Sequence, residues 1–191
     1  MQARAWQLRQ AVRALRAGGI VAYPTEAVYG LGCDPLDEQA VLRLLAIKGR
    51  AMDKGLIVIA ADFQQLLPLV LPQSADIMAP ALASWPGSST WILPAAARAP
   101  VWLTGASDGI AVRVTAHPLA ARLCACFGSA LVSTSANLSG RPPARSALAA
   151  RRAFGSRVDY FLVGATGGEA RPSAIRDLRS GRLVRAGGAR S

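Results

Sequence analysis

Residues 37–60 read DEQAVLRLLAIKGRAMDKGLIVIA. Asp37 can cap a helix whose apolar positions include Val41, Leu44 and Leu45, and that helix leads straight into Lys48. Leu56-Ile57-Val58-Ile59-Ala60 is then an unbroken apolar run, suited to a strand in a sheet covered on both faces. Between them, Lys48, Arg50 and Lys54 place three cations within seven residues.

The same alternation extends outward. Leu8, Val12 and Leu15 have helical spacing and Gly18-Gly19 stops that helix. Ile20 to Tyr23 reads as a buried strand ending at Pro24, and Tyr23 to Gly32 as a strand followed by a turn. Asp62 to Leu71 and Ser74 to Ser84 read as helices, with Pro68, Pro72 and Pro80 marking breaks or first turns. Thr90 to Leu93 and Ile110 to Val114 read as strands, Pro118 to Phe127 as a helix closed by Gly128, and Ala130 to Ser133 as a short strand. Ser146 to Phe154 is a basic helix. Val158 to Val163, Ser173 to Leu178 and Leu183 to Arg185 are β segments. Several strands follow one another without a helix, so the expected fold class is α/β (α+β) with a mixed sheet. No internal repeat or linker interrupts residues 1–191, and one domain is expected.

The 191 residues suffice for one sizeable core, and 52% hydrophobic against 17% charged is a folding composition. Arg, Pro, Gly or Asp interrupts every apolar run before membrane-spanning length. The N-terminus has no secretory pattern. Three cysteines, Cys33, Cys124 and Cys126, form no CxxC pair and read as reduced, packed thiols, which sets a cytoplasmic expectation. The net charge is +11, and residues 141–191 carry eleven Arg against three acids. Such a field attracts nucleotides or RNA, and it is equally what solvated Arg faces produce. Only two of the 22 cations are Lys, and both lie in the 48–54 loop. A retained Lys there suits a site that needs a compact ammonium.

What is missing narrows the chemistry. His117 is the lone histidine, so a His-dependent triad or a His-containing metal site would have to centre on it, and its place beside Pro118 reads instead as a helix start or surface position. GxxxxGK[ST] and GxGxxG are absent. Asp34, Asp37 and Glu38 cluster, but Asp37 and Glu38 suit a helix N-terminus on dipole grounds alone. Two segments remain. The 48–54 loop can cap a helix or grip a polyphosphate. Val132 to Gly140 carries four hydroxyls and Asn137 just beyond a buried strand, where open sheets bind ligands, and it can equally be a turn satisfying its own backbone.

These segments, in this order, resemble the YrdC-like family, in particular the short single-domain threonylcarbamoyl-AMP synthases of the TsaC type. Pro24 to Gly32 matches the family's PTExVYGLG run, Lys48-Gly49-Arg50 its KxR motif, and Ser135-Ala136-Asn137 its SxN motif inside Ser133 to Gly140. Trp85-Pro86-Gly87, Ala111 to Val114 and Pro172 to Asp177 also fall in family order. The match runs from about Gly19 to Arg185. Ile59 stands where some relatives have His, Ala27 where some have Thr, and Ser88 where the family has Pro. The chain ends soon after Arg185, which points to the short family form.

The resemblance implies a twisted mixed sheet flanked by helices around a basic concave cavity. It implies that L-threonine, bicarbonate and ATP, with Mg²⁺ on the nucleotide, give threonylcarbamoyl-AMP and pyrophosphate. The product would pass to the t6A transferase machinery for position 37 of tRNAs reading ANN codons. By position, Lys48, Arg50, Ser135 and Asn137 would be the catalytic set. Arg50, Lys54, Ser135 and Arg185 would bind ATP, and Thr25, Arg113, Ser133 and Ser173 would line the threonine side. No residue is expected to be a dedicated metal ligand. Direct tRNA contact is compatible with this reading. A non-catalytic RNA-binding module using the basic C-terminal region is the alternative, and it lacks an aromatic-rich platform. A sugar-phosphate lyase would need an acidic metal cluster that the sequence does not offer.

Overall fold

The fold is taken from a computed structural model that describes residues 5–138, 140–170 and 173–185. Ser139 and Pro172, both within the matched motifs, lie outside the described residues.

Six helices and nine strands are described: α1 (Ala5–Arg16), β1 (Val21–Pro24), β2 (Tyr29–Gly32), α2 (Glu38–Lys48), β3 (Ile57–Ala60), α3 (Ala75–Ser84), β4 (Thr90–Pro94), α4 (Val101–Thr104), β5 (Gly109–Val114), α5 (Pro118–Phe127), β6 (Leu131–Ser135), α6 (Ala147–Phe154), β7 (Tyr160–Phe161), β8 (Ile175–Asp177) and β9 (Leu183–Arg185). The strands form one mixed sheet in the order β7-β1-β2-β6-β3-β5-β4-β8-β9. β1/β7, β3/β5 and β4/β8 are parallel and the other pairs antiparallel.

Register decides which residues share a face, because aligned side chains point the same way. Val58 aligns with Val132 on one side and Val112 on the other, and Val112 with Trp91. This row, with Ala22, Leu31, Leu93 and Ile110, belongs to the larger core. Val41, Leu44 and Leu45 of α2, Met78 and Ala81 of α3, and Ala150 and Phe154 of α6 cover it.

The opposite face is treated differently along its length. Val21, Tyr23, Ile59 and Leu131 lie under α1 and α5, whose Leu8, Leu15, Leu119 and Leu123 complete a second core. The remainder of that face carries Gly30, Ser133, Ser135, Ile57, Ala111, Arg113 and Ile92, all bordering an open cleft. The sheet therefore has one fully covered side and one half-covered side, and the bare half is the cleft floor.

Several elements differ from sequence expectation. Tyr29–Gly32 is a full strand, hydrogen-bonded to β1 and β6, where a turn was expected. Its Gly32 is needed because Tyr23 lies over it: a Cβ there would come within 2.9 Å of the ring and 2.3 Å of the Val132 carbonyl. Residues 62–71 make only a short 3-10 turn, Phe63–Leu66, since Pro68 supplies no donor and Val70 bridges to Ala95. Pro80 sits inside α3 and does not end it. The short helix α4 had no anticipated counterpart. Cys33 and Cys124 are buried thiols, whereas Cys126 near the end of α5 is exposed.

Candidate active site

The cleft has a volume of about 860 Å³. Nine of the ten residues singled out from sequence border it: Thr25, Arg50, Lys54, Arg113, Ser133, Ser135, Asn137, Ser173 and Arg185. Lys48 lies behind the wall, 7% exposed.

Local structure explains each placement. Asp37 caps α2 as expected, accepting from the Ala40 N–H at 3.0 Å. Gly49, at φ 58°, ends the helix in a left-handed turn, with Gly49 N–H donating to Ala46 O and Arg50 N–H to Leu45 O. That turn directs Lys48 inward and Arg50 toward the cleft. The Lys48 ammonium donates to the carbonyls of Ser135 and Asn137 and, at 3.0 Å, to Asn137 Oδ1. Each of its three protons thus has an oxygen. Burial and the nearby Arg50 lower its pKa to about 8.

Asn137 is equally committed. Its Oδ1 also accepts from Ser135 Oγ at 2.6 Å, and its amide donates to the carbonyls of Leu138 and Arg141. Lys48 and Asn137 therefore shape the 135–141 loop and spend their hydrogen bonds on protein atoms.

Arg50 donates to the carbonyls of Lys54 and Gly55, folding the cationic loop on itself, while its Nε has no partner. Gly55 N–H to Met52 O and Ala106 N–H to Asp53 O pin the loop against the residues after α4. Lys54 is exposed on the rim. Arg185 approaches from β9, its guanidinium 3.4 Å from Ser173 O. Burial, then Arg50, then Arg113 lower the Arg185 pKa, so three guanidiniums share one field. Ser173 receives a hydrogen bond from Thr90 at 3.1 Å.

At the other end, the Thr25 hydroxyl donates to Val28 O at 2.7 Å. Arg113 reaches in from β5 and lies 3.6 Å from the Glu26 carboxylate, both side chains 8% exposed. Glu26 Oε1 accepts from the Thr115 hydroxyl at 2.5 Å and the Ala116 N–H at 3.1 Å. Burial raises the Glu26 pKa, but Arg113 and the Thr115 hydroxyl outweigh it and hold the carboxyl below its usual range. Residues 164–170 cross this end: Gly167 N–H donates to Thr25 O and Glu169 N–H to Glu26 O, each at 3.0 Å, and Arg145 donates to Ala170 O.

Sequence reasoning did not single out Glu26, Arg141, Arg145 or Glu169, which also border the cleft. Glu26 stood inside the quoted Pro24–Gly32 run. The Arg residues gave no signal beyond the basic tail. His117 is the cap of α5, accepting from Ala120 N–H, with its other ring nitrogen 3.0 Å from Ala165 O. Among the described residues, no group of three or more His, Cys, Asp or Glu is placed to hold a metal, and no helix is long and apolar enough to cross a membrane.

Among the described residues, six cations and two carboxylates border the cleft over a floor of glycine and hydroxyl residues, and Arg50, Lys54 and Arg185 make one end suited to a large anion. The paired Arg113 and Glu26 make a nearly neutral polar group at the other end.

Comparison with known proteins fits this geometry. A family model, Sua5_yciO_yrdC, described as "Telomere recombination", matches residues 13–187. A protein from Nitrosococcus oceani named threonylcarbamoyl-AMP synthase is 55% identical over 180 residues, covering 94% of this chain and 97% of that protein. A protein of the same name from Halorhodospira halophila is 56% identical over 182 residues, 95% of each. Among solved structures, P. abyssi Sua5 complexed with L-threonine superposes with a TM-score of 0.91 at 35% identity. The match covers 98% of this chain and 56% of that longer one. E. coli YciO gives 0.85 at 25% identity, covering 96% and 90%. With matches of this extent in both sequence and structure, the chain belongs to the Sua5/YciO/YrdC family.

Proposed function

We propose that this chain is a cytoplasmic nucleotidyltransferase that makes threonylcarbamoyl-AMP from L-threonine, bicarbonate and ATP for t6A modification of tRNA. The observation that carries it is the division of one cleft into a cationic end and a Glu26–Arg113 end, 3.6 Å between the paired groups, in a chain 55% identical to a protein named for that activity.

The amine of threonine reacts with bicarbonate to give an N-carboxylate and water. An oxygen of that carboxylate attacks the α-phosphorus in line, and the bond to pyrophosphate breaks. This chemistry asks for positioning and charge neutralisation, and no protein nucleophile is needed. Arg50, Lys54 and Arg185 would hold the polyphosphate, with Mg²⁺ arriving as part of the ATP substrate. Arg113 would take the threonine carboxylate, with Thr25, Ser133 and Ser173 around it. Ser135 would face the reacting phosphate, on a loop shaped by Lys48 and Asn137. The unstable adenylate would be consumed by a t6A transferase, and direct contact with tRNA would shorten its path.

The test is mass spectrometry of the product formed from ATP, threonine and bicarbonate. A threonylcarbamoyl-adenylate peak that needs all three is expected, and its absence sinks the reading. Arg50→Ala is expected to lower threonine-dependent pyrophosphate release by about 10²-fold or more, the scale of losing one charge-stabilising group. Near-normal turnover removes Arg50 from the site.

A further inference from the structure

Among the described residues, three buried side-chain atoms lack a hydrogen-bond partner: Glu26 Oε2, Arg50 Nε and Arg113 Nε. All three belong to residues that border the cleft. Two of them, Glu26 and Arg113, come from one ion pair. Glu26 Oε1 is already fixed by Thr115 and Ala116, which leaves Oε2 turned to the guanidinium.

The cleft has a sorting problem. Under the proposed function, on which this inference rests, it receives a zwitterion with one carboxylate and a nucleotide with several negative charges. Attraction scales with charge, so a polyphosphate would outcompete a single carboxylate at any bare cation. Among the described residues, six cations border the cleft, and Arg113 is the one of these with a carboxylate at ion-pair distance. Arg185 has no such neighbour, Arg50 feels Asp53 only from beyond ion-pair distance, and Arg113 itself adds to the field that Arg185 feels.

We infer that Glu26 is a specificity-determining residue that cancels the charge of Arg113, reserves that end of the cleft for a zwitterionic amino acid, and confines phosphate to the Arg50, Lys54 and Arg185 end. Glu26 Oε2 is closed off from solvent, so Glu26 acts through the field at Arg113 and not by touching a ligand. The pair it forms, one positive and one negative group side by side, matches the charge pattern of an α-amino acid and mismatches that of a polyphosphate.

The test uses calorimetric titration of the intact protein with L-threonine and with inorganic pyrophosphate. Glu26→Gln keeps an oxygen for Thr115 and Ala116 and removes only the charge. In the unchanged protein, threonine affinity should be indifferent to saturating pyrophosphate. In E26Q, pyrophosphate should bind about tenfold tighter, a difference within reach of one unmasked cation, and threonine and pyrophosphate should compete. Adding Arg113→Gln to E26Q should abolish that gain and the competition. A loss of packing alone would not create competition. A folded E26Q that binds both probes independently, with unchanged pyrophosphate affinity, overturns the proposal. Arg113→Gln alone gives a second reading: it should weaken threonine and, by leaving the Glu26 charge without its partner, should not tighten pyrophosphate, and tighter pyrophosphate binding overturns the proposal as well. If the unchanged protein binds no threonine, the functional reading fails, while the pyrophosphate affinities of E26Q and E26Q/R113Q still decide whether Glu26 masks Arg113.

Discussion

At the C-terminal end of α2, the ammonium of Lys48 meets three oxygens of a loop 87 to 89 residues away. A neutral amine has two protons for three acceptors, so the loop loosens when Lys48 deprotonates. Its pKa of about 8 therefore predicts that threonine-dependent pyrophosphate release declines as pH rises through about 8. Lys48→Met should give low activity without that limb, read from kcat/KM against pH. Stability moves in the opposite sense. The folded pKa lies below that of an exposed lysine, so the unfolded chain binds more protons between about 8 and the usual value, and this group's contribution to stability rises with pH across that window. Glu26 behaves as a paired acid: its contribution is present above the ordinary carboxylate value and is lost as pH falls through the depressed folded value. The motif positions were legible from their order in the sequence, but the hydrogen bonds that turn Lys48 inward were not. Those bonds join positions too distant in sequence for any local pattern to link.

Elements follow the sequence where apolar periodicity was strong. α1, α2, α5 and α6 have Leu, Val and Ala at helical spacing, and β3 and β5 are apolar runs. β2 was hidden because Gly30 and Gly32 argue locally for a turn, and it takes the folded sheet to show that the Val132 carbonyl and the Tyr23 ring leave no room for a Cβ at Gly32. Gly32→Ala should accordingly destabilise the fold by about 1–3 kcal/mol, the usual cost of overpacking, seen as a lower denaturation midpoint. Leu15, 1% exposed, seals α1 over the covered half of the second sheet face. Leu15→Ala should cost about 2–5 kcal/mol by chemical denaturation while pyrophosphate affinity in the cold stays within about twofold, since the residue sits under the covered half of that face and not among the cleft's lining.

At the scale of the molecule, the six cations and two carboxylates that border the concavity among the described residues focus a positive field. Nucleotide affinity should fall steeply between low salt and 0.15 M, where screening acts over about 8 Å, while threonine affinity should change little because Glu26 offsets Arg113. Titrations at two ionic strengths check both. The +11 charge was legible in composition, but its division into two ends was not, because Glu26, in the turn after β1, and Arg113, in β5, meet only in the folded chain, where Thr115 and Ala116 hold the Glu26 carboxylate. The scarcity of lysine has a practical consequence. An amine-reactive reagent finds only two lysine side chains, and Lys48 is buried with every proton engaged. Lys54, on the cleft rim, is the side chain left to acylate, so under the proposed function its labelling rate would be a built-in footprint of nucleotide occupancy without any engineered reporter.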